Sequence, residues 1–137
     1  MIKDAALGKE LVVTTENKIG VMAAISKMLS DKCINIEGVA GYAAQNNEAK
    51  IMIVADDALR AKEAIVKAGY KNIKEKEVVL VDLQNKPGAL KGITAMLSAD
   101  KIDINYMYGT VCQEGCPARI VLSTSNNERA IVLFKAK

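Results

Sequence analysis

ENKIGVMAAISKMLSDKCINIEGVA, residues 16–40, is followed 68 positions later by QNKPGALKGITAMLSADKIDINYMY, residues 84–108. Between residues 11–42 and 79–110 there are 11 identities in 32 ungapped positions, more than chance gives together with a shared polarity pattern. One extra residue in the second copy then brings AKIMIV (from Ala49) over ARIVLS (from Ala118). The chain is a tandem duplication, so each copy must be read as the same supersecondary unit.

Residues 9–15 (KELVVTT) and 78–83 (VVLVDL) are β-rich runs that read as first strands. The turns NKIG and NKPG follow, with Pro87 suited to a first helical position and Asn85 to capping behind it. Val21, Ile25, Met28 and Leu29 recur at i, i+4, i+7 and i+8, and Ala89, Ile93, Met96 and Leu97 repeat that stripe. Both stripes predict an amphipathic helix facing a core. A second strand is expected from Ile34 or Ile102. Hairpin turns are expected at Asn46 and Asn47, and at Glu114 and Gly115. A third strand follows, then a second helix that Asp57 or Asn126 caps with its own side chain. Gly69 ends that helix in the first copy, and residues 72–77 suit a fourth strand.

The fold class expected is α+β: two tandem ferredoxin-like βαββαβ units with helices on one face of an antiparallel sheet. The boundaries predicted are a leading segment at 1–9, a first unit at 10–77 and a second at 78–137. Lys137 corresponds to Ala68, so the second unit has no C-terminal fourth strand, and residues 1–8 or another chain are the candidates for its open edge.

Bulk composition narrows the function. The 137 residues carry a formal charge of +3 without a run of like charges, which argues against a nucleic-acid arm. The aromatic content is 4%, and the strands that would face RNA in this topology carry no aromatic. Histidine is absent, which removes the commonest general base and metal ligand. No nucleophile–base motif or phosphate-binding glycine loop occurs, so the chain reads as non-enzymatic and without a cofactor. With no apolar h-region and no membrane-length stretch, the expected location is the cytoplasm, with three reduced thiols. Cys112 and Cys116 have the spacing to chelate a metal or form a reversible disulfide, but the paired knuckles of a zinc site are missing and no metal is assigned. Cys33 reads as a small buried residue. Tyr106 and Tyr108 share a strand face, and Lys50 and Arg119 hold matching positions on the third strands.

The two quoted stretches resemble the ACT domain, whose signature is a strand, an N-x-P-G-x-L turn, an amphipathic helix and a second strand beginning like INI. The resemblance extends from about residue 10 to 137, in the manner of stand-alone tandem ACT proteins without an enzyme domain. It implies binding of an amino acid or related metabolite at interfaces between two copies, a homodimer, and regulation of a metabolic enzyme. The ligand-facing positions it implies are Asn17, Lys18, Ile19, Gly20 and Val21 in the first turn and Asn85, Lys86, Pro87, Gly88 and Ala89 in the second. Asn35, Asp103 and Asn105 on the second strands complete them. Ile19 departs from the family's proline, and Asp103 from its usual asparagine. A physical argument points to the same turns: glycine admits a ligand close to the backbone, and the first N–H groups of a helix favour a carboxylate. The rival function is an interaction subunit that oligomerises and binds no metabolite.

Overall fold

The computed structural model describes residues 1–110 and 116–136. The chain forms two compact units, Lys9–Lys76 and Met1–Gly8 together with Glu77–Lys137. In order the elements are β1 (Ile2–Glu16), α1 (Val21–Asp31), β2 (Ile36–Ala43), β3 (Glu48–Ala55), α2 (Ala58–Lys67), β4 (Ile73–Leu83), α3 (Ala89–Ala99), β5 (Ile104–Thr110), β6 (Ala118–Thr124) and α4 (Asn127–Lys135).

In the 9–76 unit the strand order is β2-β3-β1-β4. β3 pairs antiparallel with both neighbours, aligning Val13 and Gly41 on Ile51, and Leu11 and Val39 on Ile53. Because strand side chains alternate between faces, these positions share the face that carries the core. Leu11, Val13, Ile51 and Ile53 pack there with Val21, Ile25 and Leu29 of α1 and Ala61, Ala64 and Ile65 of α2. Both helices therefore lie on one face, as expected for a βαββαβ unit. Asn46 and Asn47 take φ of 61° and 57°, and the Glu48 N–H donates to the Gln45 carbonyl at 3.3 Å. Two successive left-handed residues between Gln45 and Glu48 make a type I′ turn, whose twist matches that of the strands.

The 77–137 unit repeats the plan with the order β1-β4-β6-β5. Val79, Val81, Leu83, Ile120 and Leu122 form its core with Ile93 and Leu97 of α3 and Phe134 of α4. Its outer strand is the start of β1. Ala5 is 3% exposed within that core. The Gln84 N–H donates to the Met1 carbonyl at 2.8 Å, and a Cβ on Gly8 would come 2.6 Å from Leu80 Cδ1. The segment thus runs antiparallel to β4 and fits closely against it. Residues 1–8, one of the two candidates for the open edge, form that edge as part of a continuous β1, and residues 72–83, expected as two strands, carry the single strand β4. The cause is that a strand covered along only part of its length has no sustained alternation.

Two local expectations change. Pro87 does not begin α3 and Asn85 does not cap it; Gly88 is the N-cap residue at φ 90°. Cys33 is exposed and takes φ 56°. It sits just beyond α1, where the Ile34 N–H reaches back to the Leu29 carbonyl (2.9 Å) and the Cys33 N–H to Ser30 (2.9 Å). This is a Schellman ending, in which the left-handed residue projects outward and the next one, Ile34, returns to the core. Lys101 ends α3 identically, with φ 57° and an Ile102 N–H to Leu97 carbonyl bond of 2.9 Å.

Candidate functional site

Each first strand leaves its sheet through a tight turn into a helix. Gly20 has φ 93° and ψ −1°, and Gly88 has φ 90° and ψ −10°. The Val21 N–H closes the first turn on the Lys18 carbonyl at 3.4 Å, and Ala89 closes the second on Lys86 at 3.3 Å. These are the angles of the third residue of a type II turn, which places Ile19 or Pro87 second and requires glycine third. A Cβ on Gly20 would meet nothing within 4 Å, so the glycine is needed for its backbone angles and the space above it is open. The Asn17 N–H donates to the Asn47 carbonyl at 2.8 Å, tying this turn to the β2–β3 hairpin.

Beside the first turn lies an open groove of about 500 Å³, lined by Asn17, Lys18, Gly20 and Val21 on one side and by β2 and β3 on the other. Small residues, Ala40, Gly41, Ala43 and Ala49, make up much of its strand wall. Gly41 lies in its floor, and the cross-strand pair Ala43 and Ala49 continues it. A side chain on Gly41 would start in ordinary contact, 3.7 Å from the Lys50 carbonyl and 3.8 Å from Ile51 Cγ1, and would extend into the groove. Among the described residues that line the groove, only Lys18 carries a charge. The α1 N-terminus adds partial positive charge, because first-turn N–H groups such as those of Met22 and Ala23 have no acceptor inside the helix. Apart from Asn17 and Tyr42 the remaining side chains are apolar, including Val21, Met22, Val39 and Ile51. The arrangement suits a ligand with a carboxylate at the turn and an aliphatic body along the strands.

Not every residue implicated by sequence reaches this groove. Ile19 is fully exposed and does not line it. Asn35 lines a separate depression with Ser26, Ser30 and Cys33. There its N–H is held by Asp56 Oδ1 at 3.2 Å, and its carbonyl accepts from the Asp56 N–H at 3.0 Å. The chain reverses after α1, so the start of β2 lies at the far end of that helix, about 16 Å from its beginning. Asp103 is placed equivalently, with its N–H on Ser125 Oγ at 2.9 Å. Asn105 is exposed in the bulge between Ile104 and Tyr106. In the second turn Asn85, Lys86, Pro87 and Gly88 are exposed, while Ala89 is buried and borders a smaller cavity of about 290 Å³ with Met1, Ile2 and Met96. The second hairpin turn, with Cys112, lies outside the described residues, whereas Cys116 is disulfide-bonded and not the reduced thiol expected.

Sequence reasoning missed Val39, Gly41, Tyr42, Ala43 and Ala49. Counting back from the Asn46–Asn47 hairpin would have set them opposite the first turn. Lys50 and Arg119 have partners within the protein: Lys50 Nζ donates to Thr14 Oγ1 at 3.3 Å, and Arg119 forks onto Asp82 at 2.8 and 3.1 Å. Among the described residues no cluster of three or more His, Cys, Asp or Glu side chains could hold a metal ion, and no helix is long and apolar enough to cross a membrane.

A family model described as an ACT domain pair matches residues 7–136. No curated protein sequence matches the chain. Among solved structures, a protein from Bacteroides thetaiotaomicron is 25% identical over 96% of this chain and 89% of its own, with a TM-score of 0.86. The ligand-free regulatory subunit of aspartate kinase from Thermus thermophilus is 11% identical, covers 98% of this chain and 97% of its own, and has a TM-score of 0.67. The corresponding subunit from Thermus flavus is 12% identical over 98% and 97%, with a TM-score of 0.58. The last two likenesses are likenesses of fold.

Proposed function

The chain belongs to the ACT domain pair family, and on that premise we propose that it is a non-catalytic regulatory protein that binds an amino acid or a related small carboxylate in the groove beside Gly20. The observation that supports this reading is the groove itself. A free helix N-terminus, one lysine and an apolar floor lie together around the turn that the sequence singles out. Backbone N–H groups would hold the carboxylate, and Val39, Met22 and Ile51 would cover an aliphatic side chain.

The same groove suggests how binding becomes a signal. It opens along β2, which is the edge strand of its sheet. Ile19, Met22, Val39 and Tyr42 around it are 105%, 37%, 44% and 55% exposed. Large apolar residues gathered at an unpaired edge suit a second copy of the chain, whose approach would close the groove over the ligand. A ligand shared by two copies stabilises their association, and that change is what a partner enzyme would read.

The test is thermal unfolding of the full chain with the common amino acids and their 2-oxo acids. A ligand present at about a hundredfold its dissociation constant adds roughly 2.7 kcal/mol to the folded state. The expected result is a shift from an aliphatic set, abolished in Gly41→Leu, which fills the floor. No shift from any of them, in a protein that self-associates normally, would leave the interaction subunit as the reading.

A further inference from the structure

The duplication provides an internal comparison that isolates a second site. In the 77–137 unit, Arg129 near the start of α4 forks onto the Asp100 carboxylate at the end of α3, at 2.8 and 3.2 Å. Arg60 holds the matching place in α2 of the 9–76 unit, but the counterpart of Asp100 is Lys32. Arg60 instead donates through Nη2 to the Lys32 carbonyl at 2.6 Å. Among the described residues no carboxylate pairs with Lys32, Arg60 or Lys67.

These three cations and Glu63 surround a depression of about 290 Å³ floored by Ile34 and Ala64. The fold does not require that charge. The matching positions of the other unit carry Asp100, Val132 and Ala136 in place of Lys32, Glu63 and Lys67. A cation near a helix C-terminus is favoured by the dipole, which accounts for a lysine at position 32 or 67. It does not account for three cations converging on a cavity whose counterpart arginine is saturated by a carboxylate.

We propose that this depression is an oxyanion-binding site, distinct from the groove at Gly20, in which a ligand carboxylate or phosphate takes the place that Asp100 fills in the other unit. Arg60 offers the fork geometry that matches such groups, and Lys32 and Lys67 supply further charge. Three cations against one carboxylate favour a doubly charged ligand over a singly charged one.

The experiment titrates the full chain with inorganic phosphate and, separately, with succinate, at ionic strength held constant with chloride. Amide shifts and the Arg60 Nε resonance report binding. The expected result is saturable movement at Lys32, Arg60 and Lys67, and the stronger of the two anions identifies the preferred chemistry. Lys32→Asp rebuilds the Asp100 arrangement and should weaken binding by about tenfold or more without unfolding the unit. Arg60→Gln should do the same, and Asp100→Lys should add movement at Arg129. No saturable movement with either anion would overturn the proposal, as would equal movement in wild type and Lys32→Asp. Neither result bears on the groove at Gly20, which no readout here involves.

Discussion

Single residues decide how the two copies differ. Cys33 and Lys101 occupy left-handed positions that glycine holds after α2, where Gly69 has φ 106°. A side chain there costs energy that glycine avoids, although glycine also loses more backbone entropy on folding. Lys101→Gly and Cys33→Gly should each raise stability by about 0.5–1 kcal/mol in urea unfolding, and Gly69→Ala should lower it by a similar amount. A loss of stability in either glycine variant would contradict the strain assigned to those sites. Gly41 and Gly109 match in sequence but not in surroundings. A Cβ on Gly109 would fall 2.6 Å from Ile120 Cδ1 and 3.3 Å from the Arg119 carbonyl, against 3.7 Å at Gly41. Ile120 Cδ1 can turn aside but the Arg119 carbonyl cannot, so Gly109→Ala should cost about 1 kcal/mol and Gly41→Ala less than about 0.5.

Asp100 adds a pH dependence at this scale. Its hydrogen bond from Arg129, aided by that residue's charge, holds its carboxyl below the ordinary 3.8 despite some desolvation. A carboxyl depressed in the folded state contributes stability that is complete above the unfolded value and lost as pH falls through the folded one. Acid unfolding of Asp100→Asn should consequently fall less steeply below about pH 4 than that of wild type. Parallel curves would mean that the pair has no consequence for stability.

At the scale of elements, the stripes of Val21, Ile25 and Leu29 and of Ala89, Ile93 and Leu97 told the helices and their buried faces from the sequence, because periodicity records which face meets the core. The turns were legible for a related reason: NKIG and NKPG need glycine at one backbone position. Residues 1–8 were legible as a candidate for the open edge of the second unit, but not as a strand. Their burial alternates irregularly, with Ala5 the one fully buried residue among them, so the pattern carries no period of two. The strand shows itself only through its partner β4, 70 or more residues away in the chain. The Lys32, Arg60 and Lys67 cavity was hidden likewise, since it depends on where the end of one helix meets the flank of another. If β1 completes the 77–137 unit, Ala5→Asp places an unpaired carboxylate in that core and should destabilise the unit by about 3 kcal/mol or more. Hydrogen exchange of α3 and α4 amides should accelerate markedly more than that of α1 and α2. Uniform acceleration across all four helices would show that the packing around Ala5 is not confined to this unit.

For the whole molecule the question is whether ligand and self-association are one equilibrium or two. If a second copy closes the groove along β2, linkage requires that ligand tighten the dimer by the factor by which dimerisation tightens ligand binding. Val39 tests this, because it lines the groove and is 44% exposed on the edge strand. Val39→Lys should leave the stability of the isolated chain within about 0.5 kcal/mol, as a partly exposed edge position allows. It should weaken self-association and ligand affinity together, measured by sedimentation across a concentration series with and without the ligand found by melting. An obligatory link predicts that wild type at high dilution also loses affinity, without any mutation. A variant that no longer associates yet binds as tightly as before would place the working site within a single chain, with the exposed apolar edge serving a different partner.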